Sequence, residues 1–491
     1  MVMKLYNSES RKIEDFVPNN ALDVNLYTCG PTVYHFAHIG NLRSYIMEDV
    51  LEKTLKYLGY NVKRAMNITD VGHLSSDGDT GEDKMLLGAK REHKTIMQIA
   101  NEYTEAFKAD MEKLHLKWPE FVVPATSCIS DYIKIITKLM DTGYAYFSNG
   151  NVYFDTSKLS KYFRFGNEDA KNLAVGVRDS VEEDSNKKNK NDFVLWFTKS
   201  KFENQALKWD SPWGTGYPGW HIECSAISLK TLGEYLDIHC GGVDNRFPHH
   251  TNEIAQTESY TGHKWCNYWF HVEHLTTKNG KMSKSSGEFL TLSLLEEKGY
   301  SPEVYKFFCL LSHYRKQLLF SYENLDSAKN MYDKLIAKIE KLDKNDTSKV
   351  DDEAYKAFSE KFKSALENDL TTSLAITAIY DVLKSDINDA TKIFLLKDFD
   401  SVLDIGIEHL LSKKITKDEG KGESISGEIL DLVNKRVDAK KIKDFATADS
   451  IRNCLKDMGY DVIDTKAGCE IRKNEHCLTK KNNNFEQELT R

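Results

Sequence analysis

The stretch Cys29-Gly-Pro-Thr-Val-Tyr-His-Phe-Ala-His38-Ile-Gly40-Asn41 stands between an alternating apolar run, Leu22 to Tyr27, and a segment with helical spacing. That segment, Leu42 to Leu58, places Leu42, Ile46, Val50, Leu51, Leu55 and Leu58 on one face and stops at Gly59. The reading is strand, glycine-containing turn, helix. In a parallel α/β sheet such a turn lies at the carboxyl edge of the strands, where backbone N–H groups and the helix dipole favour an anion, typically a phosphate. The spacing differs from the dinucleotide fingerprint, and a lone glycine turn says little. A cysteine before the turn and a histidine within it make the stretch more informative.

Working outward, the first helix leads to a second strand, Asn61 to Asn67, which ends in Asn67-Ile-Thr69-Asp70. The resulting βαβ unit, with its right-handed crossover, brings Thr69 and Asp70 near the first turn. Residues 75–84 read as an active-site loop or a plain surface loop. Helical pattern runs from Gly81 to Leu116, broken at Trp118-Pro119. A helix (Ile129 to Thr142) and a hairpin (Tyr144 to Phe147, Asn151 to Phe154) follow, and the polar run Val181 to Asn191 is expected to be disordered. Trp209 to Ser225, dense in glycine, proline and tryptophan, reads as a rigid loop. The strand Tyr235 to His239 then opens into Cys240-Gly241-Gly242-Val-Asp244, again with glycines and a carboxylate at a strand end.

Composition bounds the function. At 491 residues the chain calls for two to four domains, and its 40% apolar and 29% charged content fits a globular protein. The opening residues carry no apolar run of the export type, and no later run is long enough to span a bilayer, so the cytosol is the expected compartment. Nine scattered cysteines argue for reduced thiols rather than a disulfide framework. A net charge of −8 excludes a protein that coats nucleic acid nonspecifically, while leaving room for a local basic groove.

Two further clusters carry chemistry. His249 and Glu253, after Pro248, are four apart and would share a helix face; with Cys224 and Cys29 they offer the four N, S and O donors of a zinc site. Spacing alone leaves the other reading open, a buried small hydrophobe and a surface His–Glu contact. Lys278-Asn-Gly280-Lys281-Met-Ser-Lys284-Ser-Ser-Gly287 sets lysines and hydroxyls between glycines, as a loop closing over phosphates requires. A solvated basic loop has the same composition.

These residues resemble a known family. Lys281-Met-Ser-Lys-Ser285 matches the Lys-Met-Ser-Lys-Ser signature of class I aminoacyl-tRNA synthetases, and His38-Ile-Gly-Asn41 resembles their His-Ile-Gly-His. Within that class the chain is similar to the cysteinyl-tRNA synthetases through Cys29-Gly-Pro-Thr-Val-Tyr, Asn67-Ile-Thr-Asp, Phe193-Val-Leu-Trp, Ser211-Pro-Trp-Gly, Pro218-Gly-Trp-His-Ile-Glu-Cys-Ser, Phe247-Pro-His-His and Asn252-Glu-Ile-Ala-Gln. It departs from the family at Asn41, at Ser286-Gly-Glu-Phe, at Asp70-Val-Gly-His and at Gly468-Cys469-Glu470, where a tryptophan is common.

The resemblance implies a Rossmann-like parallel-sheet catalytic domain with an insertion, followed by a helical bundle and a small C-terminal α/β unit. Expected bounds are 1–118 and 209–265 for the two catalytic halves, 119–208 for the insertion, 266–322 for the signature-loop region, 323–412 for the bundle and 426–480 for an anticodon-binding unit. The implied reaction activates cysteine with ATP and transfers it to the 3′ end of its tRNA. The implied zinc ligands are Cys29, Cys224, His249 and Glu253, one ion per chain, with Mg2+ accompanying ATP. His38, Lys281 and Lys284 would be catalytic; His35, His38, Gly40, Asn41, Gly241, Gly242, Asp244 and Lys284 would bind ATP; Gly30, Thr69 and Trp220 would bind cysteine. The expected partners are tRNA, ATP and cysteine, without a membrane, and the expected state is a monomer. Two other readings stand beside this one: a zinc and RNA-binding paralogue without the reaction, and a ligase joining activated cysteine to an amino-sugar.

Overall fold

The computed structural model describes residues 2–71, 84–166, 186–199, 207–277, 280–281, 290–412, 432, 435–436, 444–458, 460–465 and 468–473. The chain divides into two compact units, Met1–Lys413 and Lys414–Arg491.

The first unit is organised on five parallel strands in the spatial order Cys266–Val272, Leu236–Gly242, Asp23–Thr28, Asn61–Ile68 and Phe121–Pro124. In chain order this is the doubly wound arrangement that runs outward from the first strand in both directions. The reversal falls between Asp23–Thr28 and Leu236–Gly242, whose register pairs Leu26 with Ile238 and Thr28 with Cys240.

Alternation along the strands divides the core into two layers, as a two-sided sheet requires. Val24 and Leu26 pack with Met66 and Phe270 on one face, against the helix Ile39–Tyr57. Tyr27 and Ala65 pack on the other with Tyr132, Ile222, Ile227 and Trp269. That second face is covered by the helices Ile129–Asp141, Trp220–Leu232 and His249–Thr261.

Between the halves lies an antiparallel sheet in the order Ala145–Ser148, Asn151–Phe154, Phe193–Phe197 and Tyr217–Pro218. The fifth parallel strand, Phe121–Pro124, falls inside the range expected for the insertion. Part of the run expected to be disordered is ordered: the Asn189 backbone N–H donates to Asp192 at 2.9 Å, and the Lys188 ammonium lies 4.0 Å from the Tyr146 ring centre. Residues 181–185 lie outside the described residues, as do the loop 75–83 and the linker after Ser412.

Beyond the sheet, the helices Tyr322–Ile339, Asp352–Glu367, Thr372–Lys384, Asp389–Leu403 and Ile407–Ser412 form the helical part. Arg43, on the first helix and fully buried, joins distant segments. Its Nη1 donates to the carbonyls of Glu273 at 2.6 Å and His274 at 2.8 Å, and its Nη2 to those of His313 at 3.3 Å and Lys316 at 2.7 Å. The second unit contains the helix Phe445–Asp457 and an antiparallel pair, Tyr460–Thr465 with Gly468–Lys473. The second strand of that pair was not expected from the sequence. No helix among the described residues is long and apolar enough to cross a membrane.

Candidate active site at the sheet's switch point

A cavity of about 400 Å³ opens over the carboxyl ends of the two central strands. Its walls include Cys29, Gly30, His35, His38, Gly40 and Asn41 from the first turn, Trp220, and Gly241, Gly242 and Asp244 at and just after the end of the strand Leu236–Gly242. The residues assigned to ATP by resemblance, apart from Lys284, are therefore gathered in one place. A crevice at the switch point is where an open parallel sheet leaves room for a ligand.

His38 is the N-cap of the helix Ile39–Tyr57. Its Nδ1 accepts from the Asn41 backbone N–H at 3.0 Å, and the Asn41 side-chain oxygen accepts from the His38 N–H at 3.4 Å. This reciprocal capping box explains how asparagine serves at the position where the signature has a second histidine. With Nδ1 accepting, the neutral His38 ring carries its proton on Nε2, a donor at a helix N-terminus that lines the cavity.

Below the cavity floor the Cys29 and Cys224 thiols, His249 and Glu253 come together, each offering one ligand atom within 4.8 Å of the others. The two sulfurs are 3.9 Å apart, Cys224 Sγ is 3.4 Å from His249 Nε2, and Glu253 Oε1 is 3.0 Å from the same nitrogen. Cys29 comes from a strand end, and His249 and Glu253 from one helix face. Cys224 sits inside the helix Trp220–Leu232, which corrects the rigid loop read there. Outer partners orient the set: His221 Nδ1 lies 2.9 Å from His249 Nδ1, His239 Nε2 lies 2.9 Å from Glu253 Oε2, and Trp220 stacks on His249 with ring centres 4.1 Å apart.

The electrostatics fit a cation. Burial pushes the Cys29 thiol up to about 11 and Cys224 well above its ordinary value. Burial also opposes charge on Glu253 and His249, yet His239 and His249 hold Glu253 down to about 2, and Glu253 with Cys224 pushes His249 up to about 10. Glu253 Oε1 lacks an aligned hydrogen bond although His249 Nε2 lies 3.0 Å away. Two thiols, an imidazole and a carboxylate converging on one point match the donor set of a zinc-like ion, which would hold both thiols as thiolates.

His239 and His250 were not singled out in the sequence, but with Cys29 and Glu253 they make an overlapping donor group. Cys29 Sγ lies 3.2 Å from His250 Nε2, and His250 Nδ1 lies 2.8 Å from His271 Nε2. The i+3 spacing of His250 and Glu253 on the helix could have drawn attention to one of them; nothing in strand Leu236–Gly242 marks His239.

Of the residues assigned to cysteine, Gly30 and Trp220 line the cavity, while Thr69 is buried behind it and reaches Gly30 through Asn67. Asn67 Oδ1 accepts from the Gly30 N–H at 2.7 Å and Nδ2 donates to Thr69 Oγ1 at 2.9 Å, while Thr69 donates to Glu223 at 2.7 Å. A Cβ at residue 30 would lie 1.6 Å from the Asn67 carbonyl oxygen, so the close approach admits only glycine. Asp244 Oδ1 is 3.0 Å from His274 Nε2. Of the signature loop, the Lys281 backbone pairs with Thr276 in a short antiparallel strand, its side chain lies outside the described residues, and so does Lys284.

Comparison with known proteins matches residues 15–330 to the family "tRNA synthetases class I (C) catalytic domain". A cysteine–tRNA ligase of Treponema denticola is 44% identical over 489 residues, covering 95% of this chain and 99% of the relative. One of Borrelia hermsii is 41% identical over 489 residues, covering 96% and 100%. Among solved structures, Mycobacterium tuberculosis methionyl-tRNA synthetase bound by methionyl-adenylate superposes with a TM-score of 0.55 at 14% identity, covering 79% of this chain and 93% of that one. This last likeness is one of fold.

Proposed function

The chain belongs to the cysteine–tRNA ligase family of class I aminoacyl-tRNA synthetases, and from that premise we propose that its switch-point cavity activates L-cysteine with ATP and passes it to the 3′ end of tRNA(Cys). The observation that carries the reading is the convergence of two features on one cavity. A histidine-capped helix N-terminus lies on one side, and a thiol, imidazole and carboxylate cluster lies under the other.

The cysteine carboxylate attacks the α-phosphorus of ATP and pyrophosphate leaves. A ribose hydroxyl of the tRNA's terminal adenosine then attacks the carbonyl and AMP leaves. Neither step needs a nucleophile from the protein, so catalysis rests on positioning and on stabilising phosphate charge. His38 and the backbone N–H groups of its helix start face the phosphates, with His35, Gly40 and Asn41 beside them. Gly241 and Gly242 leave space for the adenosine, and Asp244 accepts from its ribose. Lys281 and Lys284 meet the departing pyrophosphate, and Mg2+ travels with ATP through its phosphates.

Cys29, Cys224, His249 and Glu253 would hold one zinc ion, whose chemistry there is to favour a substrate thiolate over a hydroxyl. Gly30, Thr69 and Trp220 border the same substrate, shaping the space around its side chain. We assign residues 426–480 to anticodon binding, and take the protein to act as a cytoplasmic monomer.

Cysteine-dependent exchange of pyrophosphate into ATP, followed by charging of a tRNA(Cys) transcript, tests the reading. Exchange with cysteine but not serine is the expected result. Exchange that another amino acid drives equally well, or adenylate formation without transfer to tRNA, would reject it.

A further inference from the structure

Phe36 stands in the first turn, between His35 and His38, and is 45% exposed. Among the described residues it is the only strongly exposed large apolar side chain that lines the cavity. A single exposed apolar residue is ordinary on a protein surface. This one is braced. The Tyr103 ring meets it edge to face with centres 4.9 Å apart, and stacks on His35 at 6.0 Å. Tyr103 in turn donates its hydroxyl to Glu92 and accepts from Arg91 Nη2 at 3.2 Å; the same Arg91 nitrogen donates to the Tyr34 carbonyl at 3.1 Å. The turn and the ring's support are thus tied together from both sides.

We propose that Phe36 is the stacking platform for the base of the terminal adenosine of the tRNA, an inference that rests on the function proposed above. The chemistry requires an unpaired nucleotide to enter a cavity whose phosphate end is marked by His38, and to hold its ribose hydroxyl against the carbonyl of the adenylate. An aromatic face at the entrance, already immobilised by Tyr103, stacks a base without the ordering cost of a mobile side chain. Phe36 offers no hydrogen bond. It therefore orients the nucleotide and leaves discrimination among tRNAs to other parts of the complex. Phe36 is a binding residue that touches substrate away from the reacting atoms.

The test uses the full chain, Phe36→Ala and Phe36→Trp, with two tRNA(Cys) transcripts, one intact and one lacking the terminal base but keeping its ribose. Transfer from preformed cysteinyl-adenylate is measured alongside cysteine-dependent pyrophosphate exchange. Phe36→Ala should lower kcat/KM for intact tRNA by about tenfold, the scale of losing one stacked base, and Phe36→Trp should restore it. The parent protein should lose a similar factor with the base-less tRNA, whereas Phe36→Ala should barely distinguish the two transcripts. Equal discrimination by parent and Phe36→Ala would overturn the assignment. So would a raised KM for ATP in exchange with undiminished transfer, which would give the ring to the ATP adenine instead. Absence of cysteine-dependent exchange in the parent would reject the underlying function itself.

Discussion

Asn67 holds together three residues that the substrate or the metal would meet. Its side-chain oxygen accepts from the Gly30 N–H at 2.7 Å and from the Tyr27 hydroxyl at 3.3 Å and lies 3.6 Å from the Cys224 sulfur, while its amide donates to Thr69. Aspartate has the same shape and no donor, and would set a negative charge beside a thiol meant to ionise. Asn67→Asp should therefore raise the KM for cysteine in pyrophosphate exchange by about tenfold, the value of one to two buried hydrogen bonds, with little change for ATP. A parent-like cysteine KM would show that Asn67 only supports the strand. Cys224→Ser exchanges a thiol for a poorer zinc donor and should reduce both bound zinc and cysteine affinity. Metal analysis of the purified variant with cysteine titration checks this, and full zinc content with unchanged affinity would remove Cys224 from the ligand set.

The elements that were legible in the sequence are those whose apolar residues keep a regular period. Ile39–Tyr57 keeps a clear three-to-four spacing of apolar residues, and the strand before it alternates, so the turn at Cys29 is legible from pattern alone. The helix Trp220–Leu232 is not. From His221 to Ser228 polar and apolar side chains alternate with no helical period, all of them buried, and the run before it, rich in glycine, proline and tryptophan, reads as loop. Glu223 and Cys224 on that helix face the site, which is why the donor types were visible while their scaffold was not. Arg43 escaped notice for a related reason: its partners are four backbone carbonyls from two segments far away in the chain, and carbonyls leave no mark on a sequence. Its guanidinium fixes the segment Glu273–His274, which runs directly into the strand Leu275–Thr277 that pairs with Lys281. Arg43→Met should destabilise the protein by about 3 kcal/mol or more, since several buried carbonyls lose a charged donor. Arg43→Lys, which keeps charge but not the fork, should fall between. Urea unfolding of both variants measures this, and a loss under about 1 kcal/mol for Arg43→Met would mean that other donors take its place.

Across the whole of the first unit, His115 ties together pieces from distant parts of the chain. Its Nε2 lies 3.4 Å from Glu303 and its Nδ1 3.4 Å from Asp404, while Lys53 donates to the His115 carbonyl at 2.8 Å and pairs with Asp404 at 2.7 Å. Hydrogen bonds to Asp404 and Glu303 push His115 up to about 9, above its ordinary 6.5. A folded value above the unfolded one stabilises fully below 6.5, and the gain is lost as pH rises through 9. Neighbouring Lys306, which burial lowers from 10.5 to about 8, acts in the opposite sense, relieving a penalty as pH rises from 8 toward 10.5. The parent's Tm should therefore fall relative to that of His115→Gln between pH 6.5 and 8. The difference should shrink further toward pH 9. Parallel melting curves of the two proteins measure it, and a constant difference across that range would dismiss the triad as a stabilising group. The strand order has another consequence, for the protein as it is being made. The Asn25 backbone donates to the Asp237 carboxylate, 212 residues further along, and Leu26 waits for Ile238 to close its second edge. Until the ribosome has released that strand, the central edge of the sheet has no partner. This is a high-contact-order topology whose nascent form exposes an apolar strand to mispairing. The proposed active site thus cannot assemble until more than half of the chain, as far as Glu253, has left the exit tunnel.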